Sequence, residues 1–134
     1  MDMLHVLRRS SAVTVVLLFA TALSACGSSQ PAYTFQTDTK EVHLDKDSSI
    51  DVRLIHGPSG KQIVDAVIFA TRFDMAPDAM AAMTAPVVAQ ASPAAGVYRF
   101  AVKPTMAGRW QLTLGAKVQG ETETVTGSVV VTAR

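Results

Sequence analysis

The chain has 134 residues, with 12 Lys and Arg against 11 Asp and Glu, three His and one Cys. A formal charge of +1 supplies no basic field for nucleic acid, and one cysteine leaves neither a disulfide framework nor a multi-cysteine zinc or redox site.

Arg8 and Arg9 precede "AVTVVLLFATAL", Ala12 to Leu23, an apolar run too short to span a bilayer comfortably and of the length of a signal peptide. Its end, "LSAC", resembles the bacterial lipobox. That resemblance implies cleavage before Cys26, a diacylglycerol on its sulfur and acylation of the new amine. Each acyl chain contributes about 0.8 kcal/mol per buried methylene, and more than one chain is needed for a stable hold, so a triacylated Cys26 is expected to anchor the protein without a membrane span. Residues 1–25 are read as the lipoprotein signal peptide, 26–33 as lipid anchor and tether, and 34–134 as the folded domain. Loss of Arg8, Arg9 and Asp2 with the signal brings the formal charge to zero. Gly27 after the cysteine resembles the outer-membrane sorting pattern. The expected location is therefore the cell envelope, facing the periplasm, on the outer membrane where the host has two membranes.

"GSSQPA", Gly27 to Ala32, is small and polar, as a tether requires. The rest of the chain reads mostly with the period of two that marks strands. "YTFQT" and "KEVHL" come first. In "SIDVRLIH", Ile50, Val52 and Leu54 alternate with Asp51 and Arg53, so one face is buried and the other wet. "GPSG", Gly57 to Gly60, is a turn. "QIVDAVIFATRF", Gln62 to Phe73, is one long strand candidate with apolar residues on both parities, which leaves its register open. Tyr98, Phe100 and Val102 share a face in "GVYRFAVKP", as do Trp110, Leu112 and Leu114 in "GRWQLTLGAKV". "QGETET" turns the chain into "TVTGSVVVTA", rich in the residues that sheets favour. About seven short strands in about 100 residues predict an all-β, immunoglobulin-like β-sandwich, with a small closed barrel as the competing architecture. Trp110 is the expected centre of the core.

"FDMAPDAMAAMTAP", Phe73 to Pro86, interrupts the strand pattern with Met75, Met80 and Met83. With Pro77 as the first helical residue, Ala76 becomes the cap, Met75 and Met80 form a hydrophobic staple, Met83 follows on the same side and Asp78 sits in the first turn. That spacing predicts a short methionine-rich helix or loop lying across one end of the sandwich. Two roles fit it: a lid on the core, or a set of soft thioether ligands of the kind that suits copper(I). Met106, in "KPTMAGRW", and His56, at the end of the Ile50 strand, are candidates to complete such a site, although Met106 also suits packing on Trp110 and His56 a place on the rim. His43 is read as a rim residue, and His5 leaves with the signal.

"RFDMAPDAMAAMTAPV" followed by "GVYRFAVKPTMAGRWQLTLGAKVQGETETVTGSVVV" is similar to the YtkA-like domain, a small bacterial envelope domain with an immunoglobulin-like fold that also occurs in periplasmic adaptors of heavy-metal efflux pumps. The similarity runs from about Gly60 to Val131. It implies a link to metal handling and a site made of Met75, Met80, Met83 and Met106. The absence of histidine from the stretch departs from the histidine-rich metal-binding relatives and turns the expectation from copper(II) and zinc toward copper(I).

No Gly-x-Ser-x-Gly elbow and no His-Glu-x-x-His occur, Glu121 and Glu123 read as a solvated hairpin face, and "DKD", Asp45 to Asp47, reads as a turn, so no enzyme is expected. Two roles remain. One is a lipid-anchored protein that binds copper(I) or another soft metal for buffering or delivery. The other is a metal-free module that docks on an envelope complex such as an efflux adaptor, with the methionines as a malleable contact surface.

Overall fold

The structure is a computed structural model that describes residues 31–134. The segment read as a signal peptide, Cys26 and the segment read as a tether as far as residue 30 lie outside the described residues. The strands are β1 (Tyr33–Thr37), β2 (Glu41–Val42), β3 (Ser48–His56), β4 (Gln62–Ile63), β5 (Val67–Met75), β6 (Met80–Ala85), β7 (Val87–Gln90), β8 (Val97–Val102), β9 (Gly108–Lys117) and β10 (Val125–Ala133). A single 3-10 turn, Ala76–Asp78, separates β5 from β6.

Two five-stranded sheets face each other. One runs β1-β3-β8-β7, with β4 continuing the line of β8 along the far edge of β3; the other runs β2-β10-β9-β5-β6. All pairings are antiparallel except the short one between β2 and β10. Taken in chain order, β1, β3, β8 and β7 occupy the A-B-E-D positions, and β5, β9 and β10 occupy C, F and G, so the fold is an immunoglobulin-like β-sandwich. The chain changes sheet at Pro86. There β6, on the edge of one sheet, passes directly into β7 on the edge of the other.

Alternation places the core as the sequence predicts. Ile50, Val52 and Leu54 from β3 meet Trp110, Leu112 and Leu114 from β9, all buried, with Phe100 and Val102 from β8 and Val129 and Val131 from β10 completing the layer. Trp110 is fully buried. Its ring stacks on Phe73 at 4.9 Å between centroids, and its indole N–H donates to the Met106 carbonyl at 2.9 Å. Burial of a tryptophan requires such an acceptor, and the β8–β9 loop supplies it.

Two expectations need correction. The long strand at Gln62 to Phe73 is divided into β4 and β5, which extends to Met75. Its mixed parity has a cause: a register shift between Ile68 and Ala70 leaves Phe69 as an extra residue, so Ile68 before the bulge and Phe73 after it both face the core. The methionine helix is also absent. Pro77 starts only the 3-10 turn, Ala79 takes a left-handed conformation at φ 60°, and the chain returns as β6 paired with β5. The edge of β5 offers backbone partners that a helix would leave unmet, and this outweighs the helical preference of "MAAM".

Candidate functional site

The β5–β6 hairpin and the β8–β9 loop share one end of the sandwich, because β5 ends where β9 begins. Met75 and Met80 are directly opposed across the hairpin, with an irregularity after Asp74 that leaves residues 81–83 outside the regular pairing. Met75 is fully buried and belongs to the core; Met83 is half-buried and packs against it. Met80 is 37% exposed, and Met106, on the adjoining loop, is 40% exposed. Exposure among the four methionines thus rises from buried Met75 through half-buried Met83 to Met80 and Met106. The staple geometry expected of Met75 and Met80 is replaced by a cross-strand pair.

The hairpin is fastened to β9 by polar contacts. The Asp78 carboxylate accepts from the Arg109 backbone N–H at 2.7 Å and from its Nε at 2.8 Å, while Arg109 Nη2 donates to the Pro77 carbonyl at 2.7 Å. The backbone N–H, and then the guanidinium, hold the Asp78 carboxyl below its ordinary pKa. Gly108 makes this approach possible. Its φ is +139°, and a Cβ there would lie 2.6 Å from both Asp78 Oδ2 and the Met75 methyl. A second clamp lies one strand away: buried Asp74 accepts from Arg72 Nε at 2.5 Å and from the Ala76 N–H at 3.0 Å, and Arg72 Nη2 donates to the Ala81 carbonyl at 2.7 Å. Sequence reading missed Arg72, Asp74, Gly108 and Arg109. A signal existed for Asp74, whose side chain closes an Asx turn two residues on, just ahead of Pro77.

His56 is not at this end. It closes β3, nine residues long, whose first residue Ser48 lies at the methionine end beside Val102. There it is half-exposed, packs on Tyr33 at 5.1 Å and shares a 2.7 Å hydrogen bond between Nδ1 and Ser59 Oγ. Four methionines are therefore brought to one end and His56 is placed at the other, while exposed His43, whose backbone N–H donates to Ser48 Oγ at 3.0 Å, lies at the methionine end. Among the described residues no group of three or more His, Cys, Asp or Glu is arranged to hold a metal ion. The donors at the methionine end include the thioethers and the exposed His43, with Asp78 already committed to Arg109.

Similar folds among solved structures include the crystal structure of the Lin-41 filamin domain, 18% identical over 77% of this chain and 92% of that one, with a TM-score of 0.45. Another is the ZirS C-terminal domain, 9% identical over 100% of this chain and 87% of that one, with a TM-score of 0.47. No curated protein matches the chain. The family model described as YtkA-like matches residues 29–115, which take in the methionine hairpin, Met106 and most of β9. That span is well over half of the sequence, and the chain belongs to the YtkA-like family.

Proposed function

We propose that the protein is a non-catalytic lipoprotein of the cell envelope that binds copper(I), or another soft ion, at the methionine end, for buffering or for delivery to a metal-efflux adaptor or a similar envelope complex. The observation that carries the reading is the meeting of Met75, Met80, Met83 and Met106 at one pole, in a graded arrangement with two exposed thioethers outside two covered ones. Thioethers favour soft ions, and among the described residues the pole has no group of three or more His, Cys, Asp or Glu of the kind zinc prefers. The clamps through Asp78 and Asp74 support it by fixing the hairpin backbone, which spares a bound ion the cost of ordering its own ligands.

A second reading has its own support. Met75 is accounted for as a core residue, and Met80 and Met106 as exposed, adaptable side chains suit a metal-free docking surface. One experiment separates the two. The lipid-free domain is titrated against a copper(I) chelator, together with a Met80→Leu/Met106→Leu variant whose exchanges lie at the rim and cost less than about 1.5 kcal/mol each. The metal reading expects about one ion bound per wild-type chain, and at least about tenfold weaker competition in the variant, the effect of about 1.4 kcal/mol. Equal and poor competition by both proteins leaves the docking surface.

A further inference from the structure

Exposed apolar side chains occur on both halves of the structure, and one group of three lies at or beside the pole where the described chain begins. At the pole opposite the methionines lie the first described residues, Pro31 and Ala32, together with the loops 57–61, 64–66, 91–96 and 118–124. Ala32 is fixed there by the Gly57 N–H at 2.8 Å, and Tyr33 donates to Glu121 at 2.6 Å. Three large apolar side chains at or beside this pole have no cover: Val64 at 61% exposure, Val67 at 63% and Phe69 at 60%. Val67 opposes Lys117 on the outer face of its sheet, and the bulge at Phe69 turns that ring along the same face toward Gly115 and Thr124. Val64 stands at the neighbouring loop against Gly96.

We infer that this pole is seated on the membrane surface, with Val64, Val67 and Phe69 entering the interfacial layer of the bilayer that holds the lipid of Cys26. The inference rests on the anchor reading and goes beyond it. Five residue steps separate Cys26 from Pro31, and a fully extended chain covers roughly 18 Å in that distance, so an acylated Cys26 keeps this pole close to the headgroups. Exposed valine and phenylalanine beside such an anchor lose water-contacting area when the pole tilts onto the bilayer. The nearby charges, Lys61 and Lys117 against Asp65, Glu121 and Glu123, nearly cancel, so seating is apolar and insensitive to salt. Among the described residues no helix is long and apolar enough to cross a membrane.

The test uses the lipidated mature chain in vesicles of phosphatidylethanolamine and phosphatidylglycerol. With Cys26 acylated, Val67→Cys or Met106→Cys provides a unique thiol for an environment-sensitive fluorophore. The label at 67 should be blue-shifted and quenched several-fold more strongly by spin-labelled lipid than the label at 106, at low and at high salt. Adding Val64→Asp and Phe69→Asp, both at exposed positions, should remove most of that quenching while the protein still floats with the vesicles. Flotation with equal, weak quenching at both positions overturns the seating and leaves the anchor intact. A blue shift at 67 without lipid quenching also overturns it, and assigns the apolar residues to a protein partner or a second copy. Failure to float overturns the anchor reading and the seating with it.

Discussion

Trp110 joins the core to the methionine end, because its ring fills the space between the sheets while its N–H fixes the loop that carries Met106. Trp110→Ala is expected to cost about 3 to 5 kcal/mol and to free that loop, read as a fall in the denaturant midpoint and, for a domain of ordinary stability, as unfolding near 37 °C. Native emission should be blue-shifted; emission typical of an exposed indole would contradict the packing on Phe73. Asp78 acts at the same scale by charge. Its native pKa lies below the ordinary value, so the unfolded chain takes up a proton first as pH falls. Its contribution is complete above the ordinary carboxylate pKa, about 3.9, and is lost as pH drops through the lowered native value. Asp78→Ala should therefore be less stable than wild type at neutral pH, with the gap closing below about pH 3.9. A gap that is constant down to pH 2, followed by Trp110 emission, would show that charge is not what the residue contributes.

The hairpin shows where sequence legibility ends. Regular strands were readable because Ile50, Val52 and Leu54, or Trp110, Leu112 and Leu114, repeat with the period of the pleat. The segment from Met75 to Ala85 was readable only as a place of interest. Ala and Met favour helices, and the spacing of Met75, Met80 and Met83 suits one, but the residues of β5 sit 37 and more positions before their partners on the β9 strand that holds it in place. That pairing is non-local, and local propensity carries no record of it. The Phe69 bulge is similar: one extra residue exchanged the inward parity of β5 and made both parities apolar. The co-location of Met106 with the hairpin was anticipated, whereas His56 required the length of β3 to be followed to its far end. Gly108 gives this element a direct test. Gly108→Ala places a methyl against Asp78 and the Met75 methyl in a backbone region that alanine avoids, and should cost about 1 to 3 kcal/mol in the unfolding midpoint. If copper(I) is bound at the hairpin, affinity should fall in the same variant; an unchanged midpoint would mean that β9 and the turn are not in close contact.

For the whole molecule, the buried side chains of both sheets form one cluster, from Phe35 on β1 to Ala133 on β10. Unfolding should accordingly be two-state: Trp110 emission, which reports the space between the sheets, and far-ultraviolet circular dichroism, which reports the strands, should give the same midpoint. Separate midpoints would mean that one sheet persists without the other. The passage of β6 into β7 through Pro86 argues for cooperativity, because one short segment supplies an edge to each sheet.

The direction of β1 has a mechanical consequence. Its first residue, Tyr33, lies at the pole where the preceding chain arrives, and its five residues run from there toward the methionine pole, each paired with β3 from His56 to Val52. A pull exerted on the chain ahead of Tyr33, against something gripping the far pole, is directed along the strand. The load then acts in shear across the whole ladder, so its hydrogen bonds must fail together instead of unzipping one at a time. A domain joined to its support by a weak-looking five-residue strand is by this geometry tied to it in the more resistant of the two possible directions.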